Sequence, residues 1–123
     1  MIDTVRVVES DFDLLVRLKR HTGIKNWNVL CRWAFCLSLA DDSQPKTEPV
    51  GAWSSIEMTW RVFGGAHANL YSQLLVQRAA EAAGPGEKPN LEKLFYRHLH
   101  RGIGQLSNVA QKPTVADLLR LTG

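Results

Sequence analysis

The chain has 123 residues, of which 45% are apolar and 22% charged, and its formal net charge is +3. This size and composition predict one folded domain and exclude a wholly disordered chain or a coiled coil. No apolar run reaches the roughly 18 residues of a membrane helix, and the first residues lack the apolar stretch of a signal peptide, so we expect a cytoplasmic protein without a membrane partner.

The chain begins with a predicted strand and helix. Residues 4–8 are short, β-branched and alternating, which is typical of a strand. Ser10 or Asp11 is placed to cap the helix that follows. This helix is predicted to end before Gly23, because glycine is the usual residue beyond a last helical turn.

A second helix is predicted to follow the glycine turn. Asn26 or Asn28 can cap it, and its residues 29–40 are apolar on nearly every side. Such a helix needs cover all round, so we expect it to lie at the centre of the protein or at a subunit interface. A dimer or a tetramer fits, and the additional C-terminal helices favour the tetramer.

The second half of the chain is predicted to be mostly helical. Residues 57–63 are rich in large side chains and predict a strand or an irregular connector, in which Met58, Trp60 and Val62 would share a face. Leucines at helical spacing then predict two helices, and a capping-box pattern predicts a short last one. These three segments cover residues 66–83, 91–106 and those from Thr114 onward.

Together these elements predict a mainly α fold in one oligomeric domain, with a single N-terminal strand. Strand, helix, glycine turn and helix is the order of ribbon-helix-helix modules, in which two chains pair their strands into a ribbon. The expected domain spans residues 1–123. Its ribbon-helix-helix-like part is residues 1–40, and a mostly helical part covers residues 57–121.

Two basic zones suggest a polyanion partner, because clustered bases create a local field that the net charge conceals. From Arg17 to Arg32 there are five bases and no acid, and from Lys93 to Arg120 five bases and one acid. The alternative is a solvated surface. The residues that we expect to contact DNA phosphates are Arg17, Lys19, Arg20 and Lys25, followed by Arg97 and Arg101.

The sequence carries no motif for catalysis or for a cofactor. There is no P-loop and no dinucleotide-binding glycine pattern. Cys31 and Cys36 lie on different faces of an apolar helix, which disfavours a shared metal and predicts reduced, buried thiols of low reactivity. His98 and His100 diverge on their helix, and we expect both to be exposed. We therefore predict a non-enzyme without cofactor or metal.

Two segments of the chain resemble the DndE family of DNA sulfur modification proteins. The first comprises residues 22–24 (TGI) and 28–39 (NVLCRWAFCLSL), and the second is 97–103 (RHLHRGI). The length and the order of elements agree over nearly the whole chain. The resemblance implies a role in bacterial phosphorothioation, which replaces a non-bridging phosphate oxygen of DNA with sulfur.

The resemblance also implies partners. In such systems a cysteine desulfurase supplies sulfur, an iron–sulfur protein handles it and an ATPase assists. The DndE-like member is implied to be the small DNA-associated component without a catalytic motif. DNA, these three proteins and further copies of the chain are therefore the expected partners.

We expect a non-catalytic subunit that holds duplex DNA, nicked or distorted duplex included, through its phosphate backbone. The predicted strand exposes only Thr4 and Arg6, which is a poor set for reading bases. Two alternatives stay open. One is an adaptor between the sulfur-transfer and ATPase components, suggested by the apolar helix and the tryptophans. The other is an operator-reading ribbon-helix-helix repressor, in which Arg6 would matter more than Lys19.

Overall fold

The computed structural model describes residues 2–110, which form a mainly helical protein with a small sheet. The short helix predicted from Thr114 onward lies outside the described residues, as do Lys112 and Arg120 of the second basic zone. The elements, in chain order, are β1 (Thr4–Val8), α1 (Glu9–Thr22), α2 (Trp27–Leu39), β2 (Trp53–Thr59), α3 (Trp60–Gly64), a 3-10 turn (Gly65–His67), α4 (Ala68–Ala82) and α5 (Leu91–Ala110).

The prediction of a single strand is wrong, because β1 pairs antiparallel with β2 of the same chain, with Arg6 opposite Glu57. The other edge of β1 is also engaged. The Tyr96 hydroxyl accepts a hydrogen bond from the Arg6 amide at 3.1 Å and donates one to the Thr4 carbonyl at 3.3 Å. The order strand, helix, helix is confirmed. The strand ribbon between two chains that defines ribbon-helix-helix modules is not confirmed, since both edges of β1 are used within the chain.

Helix α1 starts without the predicted cap. It begins at Glu9, and the preceding Val8 has no side chain that can cap it, so the assignment of the cap to Ser10 or Asp11 is wrong. Asp11 lies in the first turn and is buried. The predicted end is confirmed: Gly23 adopts a φ of 74°, in the left-handed region that favours glycine.

The segment before the double glycine is divided between a strand and a helix. β2 ends at Thr59, whose side chain accepts a hydrogen bond from the Val62 amide at 3.1 Å and so caps α3. Met58, Trp60 and Val62 therefore do not share one strand face. Trp60 turns inward, where its indole N–H donates to Ser72 Oγ at 2.8 Å.

Helices α2 and α5 form the centre of the molecule. Their backbones are in close contact at Gly102, where a Cβ atom would overlap the carbonyl oxygen of Ala34. Beside this crossing the rings of Phe35, Phe63 and Phe95 pack with their centroids 5.2 to 5.6 Å apart. This packing buries the apolar stripe of α5 and fixes which side of α2 faces outward.

Candidate nucleic-acid interface

The first basic zone lies where α1 ends and α2 begins. Arg17, Lys19, Arg20 and Lys25, which we call the α1–α2 corner, all have exposed side chains. Arg17 and Arg20 are three residues apart and share the outward side of α1. Within residues 2–110, Arg17, Arg20 and Lys25 form no ion pair. Their charges are therefore directed to solvent, where they can meet an anionic partner.

Lys19 and Trp27 fix the geometry of the corner. The Lys19 ammonium lies 4.6 Å from the centroid of the Trp27 ring, a cation–π contact between the last turn of α1 and the first of α2. The ring also packs against Phe12, with centroids 5.6 Å apart. Trp27 thus holds the two helix ends together, and this packing limits the ring surface left for stacking on an unpaired base.

The N-terminal end of α2 adds to the positive field of the corner. Asn26 occupies the N-cap position but its side chain makes no capping hydrogen bond, and the first turn contains no acid. The predicted position of Asn26 is therefore correct, while the predicted side-chain cap does not form. A helix N-terminus without an acidic side chain favours an anion, and Lys25 stands next to it.

A shallow groove of about 310 Å³ leads from the start of α2 to β2, and its lining includes Lys25, Asn28 and Met58. Glu57 also lines it, but its carboxylate pairs with Arg6 at 3.5 Å. The one acid of this groove is therefore already matched by a base.

The two other predicted DNA-contacting residues do not join the corner. Two contacts show that helices α1 and α5 run in the same direction. Tyr96 hydrogen-bonds to Thr4, just before α1, and His100 lies against Asp11 in its first turn. The basic residues near the start of α5 therefore lie at the end of the molecule away from the corner. Arg97 belongs to this group and pairs with Glu48 at 2.9 Å.

Arg101 binds the end of α2 and the loop behind it. Its Nε and Nη2 donate to the Oγ and carbonyl oxygen of Ser38 at 2.8 and 2.7 Å. Its Nη1 donates to the carbonyl oxygen of Ser43 at 2.8 Å. Each nitrogen of the guanidinium thus donates to an acceptor inside the chain, and a DNA contact by Arg101 stays a prediction.

The prediction that the two histidines of α5 are exposed is wrong. His98 is 2% exposed, and its Nδ1 lies 2.9 Å from Ser38 Oγ. Ser38 Oγ also accepts a hydrogen bond from Arg101 Nε, so this buried cluster joins the end of α2 to α5. His100 is half-buried, and its Nδ1 lies 2.8 Å from the buried carboxylate of Asp11. Burial raises the pKa of Asp11, and the hydrogen bond with His100 opposes the rise.

The buried state of His98 predicts a loss of stability in acid. Burial, assisted by the nearby Arg101 charge, lowers the pKa of His98 from 6.5 to about 4. Between these values the unfolded chain binds a proton that the folded chain does not, so the free energy of unfolding falls as the pH falls from 6.5 to 4, by up to about 3 kcal/mol. We expect urea unfolding of His98→Asn to lack this part of the pH dependence. An identical pH dependence in both proteins would contradict the assignment.

The two cysteines differ in their environment. Cys31 is buried, and this burial raises the pKa of its thiol to about 12, as the apolar helix predicted. Cys36 is exposed, so its predicted burial is wrong. Within residues 2–110 no group of three or more His, Cys, Asp or Glu side chains is arranged to hold a metal ion.

The outer side of α2 lines an open apolar groove rather than being covered. The groove has a volume of about 680 Å³ and includes Val29, Trp33 and Leu37. Leu106 and Val109 of α5 form its other wall. We expected α2 to be packed against neighbours on every side, and in a single chain the side that lines this groove has no neighbour packed on it among the described residues. The sequence pattern did not predict the groove, because it also needs the placement of α5. None of the helices within residues 2–110 has both the length and the apolar character needed to cross a membrane.

These features define the class of protein: a mainly helical chain with an internal two-stranded sheet and an exposed basic corner. The family model of the DNA sulphur modification protein DndE matches residues 4–113. Because this match spans most of the chain, the chain belongs to the DndE family, which confirms the resemblance seen in its sequence.

Two solved structures are similar to the chain. DndE from Escherichia coli B7A, involved in DNA phosphorothioation modification, is 20% identical, with a TM-score of 0.67 over 86% of this chain and 98% of that chain. A DndE mutant with two glycines changed to lysine, involved in DNA phosphorothioation, is 18% identical, with a TM-score of 0.64 over 88% and 99%. At these identities the likeness shows a common fold. No curated protein matches the chain.

Proposed function

We propose that this protein is a non-catalytic DNA-binding subunit of the phosphorothioation machinery and that it grips the phosphate backbone with the α1–α2 corner. The observation that carries the proposal is the set of exposed cations at this corner, of which Arg17, Arg20 and Lys25 have no acidic partner within the described residues. The acid-free start of α2 lies beside them.

Backbone contact fits the corner better than base reading. Arginine and lysine at the end of one helix, with the N-terminus of another, are donors for phosphate oxygens and carry no sequence code. Base reading by a strand ribbon is disfavoured because both edges of β1 are used within the chain. Arg6, the base reader of the repressor alternative, pairs with Glu57.

Self-association is part of the proposal. The apolar groove beside α2 leaves Trp33 and Leu37 half-exposed, and a second copy of the chain can supply the missing cover. A dimer or a tetramer would do so. Light scattering at micromolar concentration is expected to give a mass above that of one chain, and a monomer would contradict this part of the proposal.

The DNA-binding proposal is tested by titrating labelled intact, nicked and single-stranded DNA of one sequence at two salt concentrations. We expect salt-sensitive binding, in which every substitution that removes one cation from the phosphates lowers the slope of log affinity against log salt by about one. Lys19→Glu combined with Lys25→Glu should weaken binding strongly, whereas Lys46→Glu, an exposed lysine in the α2–β2 loop, is a control with little effect.

The outcomes separate the candidate functions. Unchanged affinity in the Lys19→Glu, Lys25→Glu protein would show that the corner is not the DNA site. No binding of any DNA form at low salt would favour the adaptor, for which the apolar groove offers a docking surface. Protection of one defined sequence would favour a repressor.

A further inference from the structure

A second basic site lies at the start of α5, at the end of the molecule away from the α1–α2 corner. A cavity of about 340 Å³ opens between the end of α4 and the start of α5. The bases that line it are Lys88, Lys93 and Arg97, which we call the basic pocket. The one acid in its lining, Glu87, accepts a hydrogen bond from the Gly84 amide at 3.2 Å. The pocket therefore carries an excess of positive charge around a space large enough for a small anion.

Of two adjacent donor nitrogens of the Arg97 guanidinium, one has a hydrogen-bond partner within residues 2–110 and the other has none. Its Nη2 donates to Glu48 Oε1 at 2.9 Å, while its Nε is buried and has no partner among the described residues. These two nitrogens form one edge of the guanidinium, which binds two oxygens of an oxyanion at once. The same Glu48 oxygen also pairs with Lys93 Nζ at 3.3 Å. One carboxylate oxygen of Glu48 thus pairs with two cations, while the neighbouring Nε donor of Arg97 has no partner among the described residues.

Glu48 belongs to a strap between α2 and β2. The strap is fixed at Ser43 by Arg101 and at Ala52, whose carbonyl oxygen accepts from the Glu9 amide at 2.9 Å. Between these points the chain forms neither helix nor strand. The Glu48 side chain is 46% exposed, and ion pairs between exposed groups contribute little to stability. Another oxyanion can therefore displace Glu48 without disturbing the core.

Glu48 is ionised at neutral pH, since the hydrogen bond from Arg97 lowers the pKa of its carboxyl. It therefore presents to Lys93 and Arg97 the same negative charge that an external ligand would bring. A phosphate group has enough oxygens to reach Nε and Nη2 of Arg97 and Nζ of Lys93 separately. The carboxylate oxygen of Glu48 that makes these contacts is a single atom.

We propose that the basic pocket is a binding site for a phosphate group. Glu48, which lines the adjoining cavity, competes with that phosphate for Lys93 and Arg97 in the free protein. The phosphate belongs either to the DNA backbone or to a free phosphate compound. The first case deepens the proposed function by adding a contact far from the α1–α2 corner, and the second is independent of DNA binding.

The test uses the full chain and two probes, inorganic pyrophosphate in calorimetry and a labelled DNA duplex in fluorescence anisotropy. Glu48→Gln keeps the size of the side chain and removes the competitor. We expect it to bind the probe that the pocket accepts about fivefold more tightly than the unchanged protein. The matched control is Glu92→Gln, which removes the same charge one residue from Lys93 without freeing Arg97. It should change the affinity less than twofold, as a long-range charge effect alone would.

Replacement of the cations should reverse the gain. Arg97→Gln or Lys93→Gln, each combined with Glu48→Gln, is expected to abolish the added affinity. Lys93 is half-exposed, so its variant serves even if the Arg97 variant does not fold. A gain with pyrophosphate assigns the site to free phosphate compounds. A gain with duplex alone, whose salt slope falls by about one when Arg97 is replaced, assigns it to DNA.

Two results would overturn the proposal: equal gains in Glu48→Gln and Glu92→Gln, or no gain with either probe. These results are distinguishable from failure of the proposed function. The Lys19→Glu, Lys25→Glu protein leaves the basic pocket intact, and the pyrophosphate measurement contains no DNA.

Discussion

Gly102→Ala is expected to destabilise the protein by about 3 kcal/mol or more, because a Cβ atom would overlap the Ala34 carbonyl at the crossing of α2 and α5. The Ala34 backbone belongs to a central helix and cannot give way as a flexible side chain would. Relief requires α2 and α5 to separate, which loosens the packing of Phe35 on Phe95. Urea unfolding followed by circular dichroism measures the decrease in stability.

Gly104→Ala is the matched control, two residues further along the same helix. A Cβ atom at Gly104 would meet nothing within 4 Å. Alanine is favoured over glycine inside a helix, so this variant should be more stable by about 0.5 to 1 kcal/mol. Equal effects at the two positions would mean that the helices do not cross at Gly102.

Arg101→Gln is expected to lower the free energy of unfolding by about 2 kcal/mol or more, since it removes together the hydrogen bonds from a charged donor to Ser38 and Ser43. Within residues 2–110 the buried Ser38 side chain would keep His98 as its one remaining hydrogen-bond partner. The readout is again urea unfolding. DNA affinity of the folded Arg101→Gln protein is measured alongside it.

Arg17→Gln is the control for the stability measurement alone, because Arg17 belongs to the proposed DNA-binding corner. Its side chain is exposed and without an ion pair in the described part of the chain, so stability should change by less than about 0.5 kcal/mol. If Arg101→Gln proved fully stable but no longer bound DNA, Arg101 would be a DNA contact, as the sequence predicted. If Arg101→Gln were less stable but still bound DNA when folded, Arg101 would have a structural role and no DNA contact.

Local patterns in the sequence predicted the elements that depend on neighbouring residues. The alternation in β1, the glycine at position 23 and the apolar stripe of α5 each act within a few residues, and the structure confirms all three. The strand β2 was missed in its first half because most of its side chains are exposed. It is a strand because β1 pairs with it, and that partner lies far away in the sequence.

The candidate site likewise has one part that neighbouring residues determine and another that distant residues determine. The basic α1–α2 corner is continuous in sequence and could be predicted from charge alone. The roles of His98, His100 and Arg101 could not, because their partners Ser38 and Asp11 lie 60 to 89 residues away. A charge pattern shows that a base is present and does not show whether an acid or a carbonyl from elsewhere has already engaged it. Arg97 with Glu48 is the clearest case.

The Tyr96 hydroxyl, which closes the outer edge of β1, makes the order of synthesis important for folding. Its two backbone partners lie 90 and 92 residues earlier in the chain. At roughly 5 to 20 residues per second, ribosomes need several seconds to extend the chain from β1 to this side chain. From the synthesis of α2 until that of α5, α2 lacks this partner and its apolar surface is uncovered. The nascent chain therefore completes its core only after α5 has been synthesised, and chaperones are expected to meet it before DNA does.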